Sequence, residues 1–116
     1  MFDPAVDEGI RLFNNRKFFE AHEALEAVWL KARDEERLLL HGLIQVAAAF
    51  HHHARHNRAG FCSLLTKGLR KLERCRATDC GIDLSALLSD LESWRVYLGG
   101  DPDLPAPPLP HLRADR

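Results

Sequence analysis

Cysteine is scarce and lacks a pairing pattern. Cys62, Cys75 and Cys80 form an odd set with no C-x-x-C pair, which excludes a disulfide framework or a zinc knuckle as the device that holds the fold. They read as reduced structural thiols, and nothing near Cys62 marks it as a low-pKa nucleophile. An excess of one charge is also missing. The 16 Lys and Arg residues face 17 Asp and Glu, a formal net charge of -1, so no global field draws the chain to nucleic acid or to an anionic membrane. The opening Met1-Phe2-Asp3-Pro4 has no basic stretch running into an apolar one, so a secretory leader is not expected. The longest stretch without Asp, Glu, Lys or Arg, from Leu38 to Ala54, contains His41, Gln45, His51, His52 and His53. It reads as a buried helix and not as a membrane span. A cytoplasmic protein with no membrane partner is the expectation.

What is present is ordinary globular material: 116 residues, 46% hydrophobic and 28% charged, enough for one core and too little for two. The apolar spacing predicts an all-α fold, a compact bundle of about five helices. Asp3 is placed to cap a first helix over Pro4 to Asn14, with Pro4 at its first position. A second helix starts near Lys17, where Phe18, Ala21, His22, Leu25, Val28 and Trp29 recur at three-and-four spacing. The charged run Lys31 to Arg37 is a helix end or a break with a new start at Asp34. A third helix covers about Glu35 to His56, with Asn57 as the expected left-handed closing residue. Leu64, Leu65, Leu69 and Leu72 drive a fourth helix over about Ala59 to Arg76. Leu84, Leu87, Leu88, Leu91, Trp94 and Leu98 drive a fifth, which Gly99-Gly100 stops. Five of the six prolines fall at 102, 105, 107, 108 and 110, so residues 101–116 are expected to be an extended tail on a single domain over residues 1–100.

At about 100° per residue, Phe18, His22, Leu25 and Trp29 share one narrow sector of the second helix, so His22 is expected to point into the core. Glu26 sits one turn on, at its flank, close enough to fix an imidazole tautomer or share a metal. On the third helix Leu40, Leu43, Ala47, Phe50 and Ala54 make an apolar face. His41, Gln45, Ala48, His52 and His56 line another that is polar but uncharged. An exposed face usually carries Lys and Glu, so this stripe is expected to lie against another helix or another subunit, and the third helix to be central. His51, His52 and His53 diverge too far to converge on one ion; only pairs such as His52 and His56 share a face. If the second helix packs on the stripe, His22, Glu26, Gln45 and His52 meet as a buried polar network. Such a network is commonly structural, because buried polar groups need partners. Trp29 and Trp94 read as core anchors. The Lys67, Arg70, Lys71, Arg74 and Arg76 side of the fourth helix reads as solvated, with Glu73 interrupting it and no aromatic interleaved, and gives no reason to expect nucleic acid.

Phe13-Asn14, Phe18-Phe19-Glu20-Ala21-His22-Glu23, Leu25-Glu26 and Trp29, followed by Arg37, Gly42-Leu43-Ile44-Gln45 and Asn57 with Gly60, resemble domain of unknown function 309, over about Phe13 to Leu72. The fifth helix and the tail lie outside the resemblance. It implies a compact all-helical domain of bacteria and archaea without an established activity. It also implies that His22, Glu26, Trp29, Arg37, Gln45 and one of His51 or His52 form the characteristic cluster, with Arg37 supplying a cation for Glu26 or Glu23. Where that family commonly has Ala after the glycine, this chain has Phe61. The leading expectation is a non-enzymatic helical bundle, with a homodimer or another protein as partner and no cofactor. The alternative is a metal-binding or metal-dependent hydrolytic domain holding a divalent ion on His22, Glu26 and His52. A third is an interaction module presenting Pro105-Ala106-Pro107-Pro108-Leu109-Pro110 to a partner.

Overall fold

The computed structural model describes residues 4–77, 80–101 and 103–114. Five helices follow one another: α1 (Pro4–Asn14), α2 (Phe18–Trp29), α3 (Asp34–Ala54), α4 (Arg58–Arg74) and α5 (Leu84–Leu98). The expected Asp3 cap lies outside the described residues. The helices bury most of the stripes their spacing anticipates: Phe18, Ala21, Leu25 and Val28 on α2, Leu65, Leu69 and Leu72 on α4, and Leu84, Leu87, Leu88, Leu91 and Trp94 on α5, with Leu64 and Leu98 half-buried; α1 buries Val6 and Phe13, and α4 adds Phe61. α3 is buried on more than one side, through Leu39, Leu40, Leu43, Val46, Ala47 and Phe50, because it packs against both α2 and α4. The connections at 15–17, 30–33 and 55–57 are short, which makes consecutive helices antiparallel neighbours.

Two local details differ from the sequence-based reading. The left-handed residue after α3 is His56 (φ 60°), whereas Asn57 opens α4, its side chain accepting a hydrogen bond from the Gly60 amide at 3.0 Å. A short carboxamide is worth more on an orphan amide at a helix start than as a C-terminal closer. Trp94 is a core anchor at 1% exposure, but Trp29 is only half-buried. Phe61 is buried and joins a ring cluster, 5.1 Å from Phe50, 4.9 Å from His53 and 5.6 Å from Trp94 between centroids.

Residues 105–113 are non-helical, as the prolines require. They do not project as a free peptide. Trp94 Nε1 donates to the Pro108 carbonyl at 2.9 Å, Arg16 Nη1 to that of Pro110 at 2.9 Å, and Asn14 Nδ2 to that of Leu112 at 2.9 Å. The Leu112 amide returns a bond to Asn14 Oδ1 at 2.8 Å. Leu112 is buried in the common core, and Ala114 pairs with Ile82 in an isolated antiparallel bridge. The segment therefore straps the end of α5 to α1. Its carbonyls at Pro108 and Pro110 are engaged, which weakens the reading of this stretch as a ligand held out to a partner.

Candidate functional site

The residues singled out on α2 and α3 lie along the groove between those two helices, in two groups and not in one network. At one end Phe19, 48% exposed, stacks on His22 (6.0 Å) and faces His51 (5.3 Å), which in turn neighbours His52 (5.9 Å). His52 Nδ1 is 3.1 Å from Asn57 Nδ2, so this nitrogen accepts from the carboxamide and the proton sits on Nε2. At the other end the Arg37 guanidinium lies over the Trp29 ring, 4.1 Å from its centroid, and His41 packs 5.1 Å from the same ring.

Arg37 does not pair with Glu26 or Glu23. Its Nη1 donates to the Trp29 carbonyl at 3.0 Å and, more weakly, to that of Ala32 at 3.4 Å. The carbonyls at a helix C-terminus have no intrahelical donor and carry the negative end of the dipole, so a guanidinium placed there satisfies both while stacking on the indole. Glu23 and Glu26 are exposed, and among the described residues neither side chain forms a hydrogen bond or ion pair. A carboxylate at the edge of the sector gains more from water than from an unpaired place in the groove. Gln45 turns to the other side: its Oε1 accepts from Lys71 Nζ of α4 at 2.9 Å. No hydrogen bond joins His22, Glu26, Gln45 and His52 among the described residues, where no polar or charged residue is fully buried. His22, Gln45, His51 and His52 are all half-buried.

Electrostatics at the Trp29 end run positive. Burial first, then the Lys71 and Arg37 cations, push the His41 imidazole below its ordinary value. Burial chiefly raises the Cys75 thiol, so it is a poor nucleophile. Behind the groove surface, His22 Nδ1 and Trp29 Nε1 are shielded from water and have no hydrogen-bond partner. Such orphans are rare in native proteins and call for an explanation. Among the described residues no three His, Cys, Asp or Glu side chains gather as a group able to hold a metal ion. No described helix is long and apolar enough to cross a membrane.

A family model described as Domain of unknown function (DUF309) matches residues 6–64. The chain belongs to that family. It is also 34% identical over 91 residues to the uncharacterized protein YpuF of Bacillus subtilis (strain 168), an alignment covering 76% of this chain and 52% of that protein. This DUF309 chain therefore spans about half the length of the curated relative it matches. The matched stretch contains α2, α3 and every residue of the groove except Lys71.

Two members of the groove carried little signal in the sequence. Phe19 lies beside the apolar sector of α2 and entered the sequence reading only as part of the family motif. Lys71 is far along the chain on a helix whose cations appeared uniformly solvated, and only the α3–α4 crossing brings it to Gln45.

Proposed function

We propose that this DUF309 chain is a protein-interaction domain that works as a homodimer, with the outer ridge of α2 and the groove beside it as the contact surface. The observation that carries the reading is the composition of that ridge. Phe19 and Leu30 are 48% and 66% exposed at its two ends, with the unpaired Glu23 and Glu26 between them. Exposed large apolar groups rimmed by charge mark contact surfaces. His51 of α3, half-buried and 5.3 Å from Phe19, borders the same face. Three free thiols fit a reducing, cytoplasmic setting.

The test is sedimentation equilibrium of the parent and of a Phe19→Glu, Leu30→Arg variant. The parent is expected to be a dimer and the variant a monomer of equal helicity. A monomeric parent at high protein concentration refutes the homodimer, and an unchanged dimer in the variant refutes the choice of face. The metal reading has one supporting observation, the unpartnered His22 Nδ1, and elemental analysis of unchelated protein against His22→Ala decides it: stoichiometric metal lost in the variant would replace the proposal above.

A further inference from the structure

A different feature, at the C-terminal end of α3, carries a small-molecule reading. Where the end of α3, the start of α4 and the end of α5 meet there is a cavity of about 220 Å³. Its lining is apolar at Phe61, Tyr97 and Leu98, polar at His53, His56 and Asn57 and cationic at Arg58, with no Asp or Glu. The apolar part is rigid. Phe61 is almost fully buried, and Tyr97 stands edge-on to the core Trp94 at 5.7 Å. The cationic part is held in place as well. Arg58 Nη2 donates to the Leu98 carbonyl at 2.7 Å, which fixes the guanidinium at the cavity and leaves its remaining N–H groups for another acceptor. His56 is set by the left-handed turn between the helices.

We propose that this cavity binds a small aromatic carboxylate, its ring against Tyr97 and Leu98 with Phe61 beneath them and its carboxylate on Arg58 and His56. The volume lies below the range of roughly 300–1,000 Å³ for drug-sized ligands, so it suits a single substituted ring and is too small for a nucleotide. An apolar wall beside a single guanidinium selects a ligand with the same two halves. The planar guanidinium matches the two oxygens of a carboxylate better than a lone ammonium would. Burial and the neighbouring His56 hold the His53 imidazole below its ordinary value, and an anion placed between the two rings relieves that strain. The site lies away from the α2 ridge and does not depend on the homodimer reading.

The experiment is an NMR titration of the full chain with benzoate as probe, run beside benzamide, cyclohexanecarboxylate and inorganic phosphate at constant ionic strength. The expected result is a saturable shift of the His53, Phe61 and Tyr97 signals by benzoate, with a Kd of about millimolar for so few atoms. Benzamide should shift them far less for lack of charge, and cyclohexanecarboxylate less for lack of a flat face. Arg58→Gln should weaken benzoate by roughly tenfold or more through loss of a charge-assisted hydrogen bond, with an unchanged melting curve. Should that variant melt early, Tyr97→Leu serves instead and is expected to cost severalfold in affinity. The proposal is overturned by the absence of a saturable shift, by phosphate or benzamide acting as well as benzoate, or by undiminished binding in the folded variant.

Discussion

Gly68→Ala is the substitution whose sign says most about how this molecule is assembled. On an isolated helix the change is favourable, since alanine is better than glycine in a helix interior by about 0.8–1.0 kcal/mol. In the bundle, a Cβ at position 68 would lie 2.8 Å from Val46 Cγ2, 3.1 Å from the Gly42 carbonyl oxygen and 3.3 Å from the Val46 amide nitrogen. The methyl of Val46 can give way a little. The backbone atoms cannot turn aside, so α4 must move off α3 and loosen the contacts of Leu65, Leu69 and Leu72. Overpacking of this kind costs about 1–3 kcal/mol, and the propensity gain returns roughly 1 kcal/mol of it. A net loss of up to about 2 kcal/mol follows, which for a chain of this size lowers Tm by as much as roughly 8 °C. Thermal unfolding followed by circular dichroism reads it directly. Gly9→Ala is the control: its Cβ would meet Leu25 Cδ2 at 2.7 Å, the free end of a side chain, with the nearest backbone atom, the Ala21 oxygen, at 3.7 Å. It should lose less than Gly68→Ala. A Gly68→Ala protein that melts above the parent, as helix propensity alone would make it, would refute the close α3–α4 crossing, and with it the placement of Lys71 on Gln45.

Two further outcomes test other parts of the fold. Trp94→Phe keeps a ring in the aromatic cluster but removes the donor to the Pro108 carbonyl, at a cost of about 1–3 kcal/mol from the lost hydrogen bond and the smaller ring; limited proteolysis should then cut the 103–114 segment sooner, and an unchanged cleavage rate would show that Trp94 does not hold the strap. His41 and His53 both sit below the ordinary value of 6.5 in the folded chain, so between their folded and unfolded values the unfolded state binds more protons. Stability is therefore complete above about pH 7 and falls as pH drops through 6.5 toward their lowered values. Melting curves between about pH 8 and 5 should show that fall reduced in a His41→Gln, His53→Gln variant, and a Tm that rises on acidification would reverse the assigned direction.

Most of the helix framework was legible in the residues, and the groove only in part. The apolar stripes of α1, α2 and α5 depend on a local period, and Gly99-Gly100 and the prolines end the helical chain by their own backbone chemistry. The spacing put His22 and Trp29 in one sector of α2 and His41, Gln45 and His52 in one stripe of α3; Trp29 meets His41 across the groove, whereas Gln45 turns to α4. Their pairing was not legible. Arg37 chose the carbonyls at the end of α2 over the glutamates, and Gln45 chose Lys71 over His22, because each choice turns on side-chain direction and on the cost of drying a carboxylate.

By itself the sequence determined that this is an all-helical DUF309 chain with a central third helix and an uncharged polar stripe upon it. The family follows from the motif residues of α2 and α3; the helices, the central place of the third and its stripe follow from periodicity and composition, which act within a few turns. Only the tertiary structure decided that the proline-rich segment straps α5 to α1, that Phe61 enlarges the aromatic cluster, and that His53, His56 and Arg58 share a cavity with Tyr97. Each of these depends on contacts between residues distant in the chain, and their energies are set by packing that no local period encodes.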